Sequence, residues 1–137
     1  MHQVVAKALD VIAVENHEPK YTEAFDAVRA VVIEFGESDL ADRLYIDIPE
    51  SVPFLLVANL FDFLAWQTED NGAAMTRAVE RWLVEGSNTR KVQIALNLEV
   101  FPFVDGHQMC QVLSQVAAAI PEVADRCKEL ITSRQNR

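Results

Sequence analysis

Apolar residues recur every three or four positions along most of this 137-residue chain, the spacing that puts them on one face of an α-helix. Over residues 3–17 the set is Val4, Val5, Ala8, Val11 and Ile12, with Pro19 beyond it as a stop. Residues 21–35 repeat the pattern through Ala24, Phe25, Val28, Val31, Val32 and Phe35, and Gly36 follows as a left-handed cap. Ser38 is placed to cap a short third helix through Leu40, Leu44 and Tyr45. Ile46, Asp47, Ile48 and Pro49 then read as a loop, because the residue before a proline avoids the helical region.

Ser51 is the expected cap of a fourth helix that tolerates Pro53 in its first turn and runs through Phe54, Leu55, Leu56, Val57, Leu60, Phe61, Phe63, Leu64 and Trp66. It is apolar nearly all round, so it is expected at the centre of the fold, with Asn59 and Asp62 as one thin polar stripe. Asn71 and Gly72 break the chain. A fifth helix over residues 74–85 shows Met75, Ala78, Val79, Trp82 and Leu83 on one side, and Gly86, Ser87 and Asn88 close it while offering a cap to the next segment.

Residues 91–101 carry two patterns. Val92, Ile94, Leu96, Leu98 and Val100 alternate as a half-buried strand would. Val92, Ala95, Leu96 and Glu99, or Ile94, Leu98 and Phe101, also lie at helical spacing. We read a helix ending at Pro102, since a lone strand would leave its backbone groups unpaired. Asp105 or Gly106 starts a seventh helix reaching Ile120, with Met109, Val112, Leu113, Val116 and Ala117 inward. Pro121 divides it from an eighth over residues 122–133 that carries Val123, Ala124, Cys127, Leu130 and Ile131; residues 134–137 should fray. The expectation is an all-α fold: a single domain over residues 1–137, a compact multi-helical bundle of seven or eight short helices.

Half the residues are hydrophobic and 24% are charged, a balance that excludes disordered and low-complexity classes. Net charge is −9, which argues against nucleic acid and anionic membrane surfaces as partners. The charge is uneven: residues 1–50 hold 11 acidic and 4 basic residues, the remainder 10 and 8. Two cysteines, Cys110 and Cys127, make no disulfide framework, and Asp10 interrupts the only apolar stretch near the start, so a cytoplasmic setting is expected. The most apolar run, residues 52–58, stops well short of the roughly 20 residues of a membrane span.

Catalytic and ligand chemistry find little support. His107 and Cys110 stand at i, i+3, which suits a shared metal only if two further ligands arrive; a helix-start histidine beside a buried cysteine is the plainer account. His17 and Glu18 beside Glu15 read as a solvated helix end. No GxSxG and no phosphate-binding glycine loop is present, and the four glycines fall at helix boundaries. Asp62, among Phe61, Phe63 and Trp66, is the carboxylate whose pKa enclosure would raise. Trp66, Trp82, Phe101 and Phe103 fit core positions, with one ring of the Phe101–Pro102–Phe103 triplet a candidate for exposure. No cofactor is expected. The acidic stretch Glu37, Asp39, Asp42, Asp47 and Glu50, with Arg43 as its only cation, is either a solvated face or a docking surface for a basic protein.

The segment 61–103, with Trp82-Leu83-Val84-Glu85-Gly86, then Arg90-Lys91-Val92 and Ala95-Leu96, resembles the helical hairpins of small bacterial domains, some of them similar to toxin-system immunity proteins, and resembles HEAT-type helix pairs equally. The resemblance implies a non-enzymatic protein-binding module, an immunity protein that blocks a basic toxin domain with its acidic surface. Two other readings stay open: a small helical enzyme or ligand carrier built on Asp62, His107 and Cys110, and a homodimer joined through an apolar face such as residues 116–120.

Overall fold

The computed structural model describes residues 1–15 and 21–136, with the Tyr21 side chain left aside. Every regular element among them is helical: α1 Gln3–Glu15, α2 Tyr21–Phe35, α3 Leu40–Asp47, α4 Phe54–Ala65, α5 Ala73–Glu85, α6 Thr89–Leu96, α7 Gly106–Ala119, a 3₁₀ turn Pro121–Val123, and α8 Ala124–Gln135. The all-α expectation holds, and residues 92–96 are helical rather than extended. The expected extension of the first helix to His17, and the His17–Glu18 helix end, lie outside the described residues. Packing divides the chain into two compact units, residues 1–78 and 79–137.

In the first unit α1 packs on α2, and α4 lies against both. Val5, Ala8, Leu9 and Ile12 of α1 meet Ala24, Ala27, Val28 and Val31 of α2 and Val57, Ala58, Leu60, Phe61 and Leu64 of α4 in one buried core. Each set follows the i, i+3, i+4 rhythm, and each fully buried Val or Leu contributes about 1.5–3 kcal/mol. The all-round apolarity of α4 does not make it enclosed. Its partners cover one side, and Leu55 and Trp66 stay 54% and 74% exposed. Glu15 is likewise not at a solvated end: it is buried, its Oε1 accepts the Ala24 N–H at 3.1 Å in the first turns of α2, and its Oε2 has no partner among the described residues.

Several helix ends differ from the sequence reading because backbone geometry overrides side-chain preference. Ser38 does not cap α3; Asp39 occupies that position in the left-handed region at φ 50° and makes no side-chain cap bond. α3 continues through Ile46 and Asp47, since Ile48 alone satisfies the extended requirement before Pro49. Pro53, not Ser51, stands at the start of α4. α6 begins at Thr89, where the Asn88 side chain accepts the Lys91 N–H at 3.0 Å, as expected of a cap, but ends at Leu96, five residues before Phe101.

In the second unit α7 packs on α8, and α6 also touches α8. The core gathers Trp82, Leu83, Val92, Ile94, Leu96, Met109, Leu113, Val116, Val123, Cys127 and Leu130. Within the apolar stretch 116–120, Val116 and Ile120 are only 2% and 7% exposed, while Ala118 and Ala119 are open to solvent. Residues 97–105 form a loop held from both sides. Glu80 Oε2 accepts the Phe103 N–H at 2.6 Å, and Arg134 donates to the carbonyls of Pro102, Phe103 and Val104 at 3.1, 2.6 and 2.6 Å while covering the Phe101 ring at 5.6 Å. α8 therefore runs to Gln135, past the expected end at Ser133.

The turn before α5 is the tightest point. Thr68 Oγ1 accepts the Gly72 N–H at 2.7 Å, and Asp70 accepts the Ala74 N–H at 3.0 Å. Gly72 has φ 80°, and a Cβ there would sit 2.7 Å from Ala65 Cβ. Gly36 has φ 71° with nothing within 4 Å of such a Cβ. Gly36→Ala is thus expected to cost only the left-handed backbone, about 1–2 kcal/mol, and Gly72→Ala that amount plus about 1–3 kcal/mol of overpacking; denaturant titration of both variants checks the ranking. The Ala74 N–H bond leads a set of bonds from Thr68, Gly72 and Ala73 that holds the Asp70 carboxyl below its ordinary pKa. A lowered native pKa stabilises the fold above the ordinary carboxylate range and ceases to do so as acid protonates the native carboxylate. Asp70→Ala should therefore lower the melting temperature near neutral pH and lower it less in strong acid.

Candidate functional site

The acidic stretch follows from how α2 ends. Four carbonyls at a helix C-terminus lack partners within the helix, and Arg43, one turn into α3, reaches back to them. Its Nη2 donates to Phe35 O at 2.6 Å and Gly36 O at 3.2 Å, its Nε to Ser38 O at 2.9 Å, and its guanidinium lies 5.6 Å from the Phe35 ring centroid. The one cation of the stretch is thus turned to backbone carbonyls at the negative end of α2.

The five acids have different surroundings. Glu37 Oε1 accepts the Glu69 N–H at 2.9 Å, tying the α2–α3 connection to the turn after α4. Both oxygens of Asp47 accept the His2 N–H at 3.1 Å, which fixes the start of α1 against the end of α3. These two carboxylates position backbone as well as carrying charge. Asp39 and Glu50 are exposed, and Asp42 is half-buried in the first turn of α3. His2 adds a 3.3 Å contact from Nε2 to Glu34 Oε1 and an edge-on contact with Phe35.

The residues of the alternative chemistry belong to both units. His107 is exposed and Cys110 half-buried, and both line an open hollow of about 410 Å³ with Gly106, Met109, Ile131, Arg134 and Gln135 in the second unit. Asp105 caps this end of α7 by accepting the His107 N–H at 2.9 Å. Asp62 belongs to α4 in the first unit, half-buried. Of the three rings beside it, Phe61 is in the core, Phe63 meets Phe25 edge-on at 5.3 Å, and Trp66 is open to solvent. No group of three or more His, Cys, Asp or Glu side chains suited to a metal occurs among the described residues. No described helix is long and apolar enough to cross a membrane.

Of the four aromatic candidates, Trp82 and Phe103 are buried and Phe101 is half-buried beneath Arg134; Trp66 is the exposed one. Helical spacing fits Trp66 to a core position, and only the placement of α1 and α2 shows which side of α4 is covered. Arg134 and Glu80, which hold the 97–105 loop, carry no sequence motif.

The two thiols should differ in reactivity. Cys127 is fully buried, and that burial pushes its pKa up, whereas Cys110 faces the hollow. A disulfide reagent is expected to label Cys110 at least tenfold faster than Cys127 in the native protein, since thiolate fraction and access both govern the rate; mass spectrometry of the partly labelled chain checks the order. Compared with family models, curated proteins and solved structures, the chain matches none.

Proposed function

We propose that the chain is a non-enzymatic protein-binding module that presents the acidic α2–α4 region to a basic protein surface, as an immunity protein does when it blocks a toxin domain. The observation carrying this reading is the division of charge between the units. Residues 1–78 hold 14 acidic and 5 basic residues, net −9; residues 79–137 hold 7 of each and are neutral. The whole net charge of the chain sits on one unit. Such a field steers an oppositely charged partner and raises the encounter rate by about 10–10³, falling with salt. The orientation of Arg43 toward carbonyls fits the same role, because its hydrogen bonds serve the helix end.

The informative substitutions are Asp42→Lys and Glu50→Lys. These changes leave in place the backbone bonds of Asp47 and Glu37 and the left-handed Asp39, and a thermal melt of the double variant checks that its fold is kept. With a basic partner captured on the immobilised chain, stopped-flow association of the double variant should be about tenfold slower and less salt-dependent than wild type, with dissociation nearly unchanged. Equal association rates in wild type and variant at low salt refute the acidic surface.

A further inference from the structure

The burial pattern of α4 divides its circumference in two. At about 100° per residue, Val57, Ala58, Leu60, Phe61 and Leu64, all 3% exposed or less, cluster on the side facing α1 and α2. Leu55, Asn59, Asp62 and Trp66 fall at i, i+4, i+7 and i+11, within about 60° of arc on the opposite side. Leu55 and Trp66, at 54% and 74% exposure, bracket the two half-buried polar residues. The stripe runs along the helix for about 16 Å, or three turns. A helix that is apolar all round normally has neighbours all round; this one is left with an exposed tryptophan, a side chain enriched among residues that dominate binding energy.

We propose that this outer face of α4 docks a cationic amphipathic helix of a partner protein, its apolar side chains on Leu55 and Trp66 and its basic side chains toward the acidic surface of the first unit. The proposal rests on the reading of the chain as an acidic binding module and names the partner's chemistry and a second contact face. A straight stripe at helical spacing matches the i, i+4, i+7 anchors of an amphipathic helix. Charge selects the sign of that helix: α4 lies in the unit with net −9 and carries a carboxylate at the middle of the stripe. The same charge opposes a second copy of this chain on the face. Area opposes it too, since a Trp buries about 150–250 Å² and a standard interface needs about 800 Å² per partner. A shorter contact aided by long-range attraction is what the face can support.

The test uses the full chain and two synthetic amphipathic helices of about 18 residues, one of Lys and Leu, the other of Glu and Leu. Trp82 is 1% exposed, so acrylamide quenching reports on Trp66. The Lys/Leu helix should shift the emission to the blue, shield it from acrylamide and lose affinity with salt; the Glu/Leu helix should do none of these. Leu55→Ala, an exposed change that leaves the core intact, should weaken binding at least tenfold, the size of one well-placed anchor. Binding of the Lys/Leu helix that ignores Leu55→Ala and leaves Trp66 quenchable, yet is lost in Asp42→Lys/Glu50→Lys, overturns this face and keeps the acidic module. No binding of the cationic helix overturns both. Equal binding of the two helices, or dimers by light scattering that Trp66→Ala disperses, overturns the choice of a cationic partner.

Discussion

Short helices leave a large share of their backbone groups without intrahelical partners, and this constraint governs both units. The described helices have 8 to 15 residues, so the four open N–H and four open carbonyl groups at each pair of ends are a substantial fraction of the whole. Caps drawn from side chains satisfy many of them: Asn88, Asp105 and Asp70 at helix starts, and Arg43 behind α2. Arg134 does the same for a loop, closing three consecutive carbonyls beside Phe103, whose φ of 64° is costly for a residue with a Cβ. The hydrophobic stripes supply the driving force, and these polar contacts fix several of the helix ends.

The same economy of charge shapes the surface. Carboxylates serve helix starts and arginines serve carbonyl ends, as helix dipoles favour, and the acids outnumber the available positive groups in the first unit alone. Glu37 and Asp47 show that an acidic stretch is not purely a solvated face: each accepts a backbone N–H distant in sequence. A surface built this way has carboxylates held in fixed positions by the fold, which lowers the entropy lost when a partner orders them.

What was legible along the chain was periodicity. Helix existence and the inner stripes of α1, α2, α7 and α8 follow from it, because a helix repeats every 3.6 residues whatever it packs against. Helix starts were less legible. Ser38 and Ser51 are good caps in isolation, yet the chain enters α3 through a left-handed Asp39 and α4 through Pro53. The strand-like alternation of residues 92–100 joins a helix to a loop at Asn97, where the Asn97 side chain bonds Gln93 O at 2.7 Å. Of the acidic stretch, the composition was visible and the division of labour was not, since the partners His2 and Glu69 lie 45 and 32 residues away.

The sequence by itself determined an all-helical fold class, caps within residues 86–88 and at Asp105 or Gly106, and a negative charge weighted to one end, since spacing, capping and charge are local properties. Only the tertiary structure decided that Trp66 is open while Trp82 is buried, that Val116 and Ile120 are already covered, and that Glu15 lies inside. Exposure belongs to the relation between elements: a side chain's periodicity states which face it shares, and the neighbouring helix decides whether that face meets water.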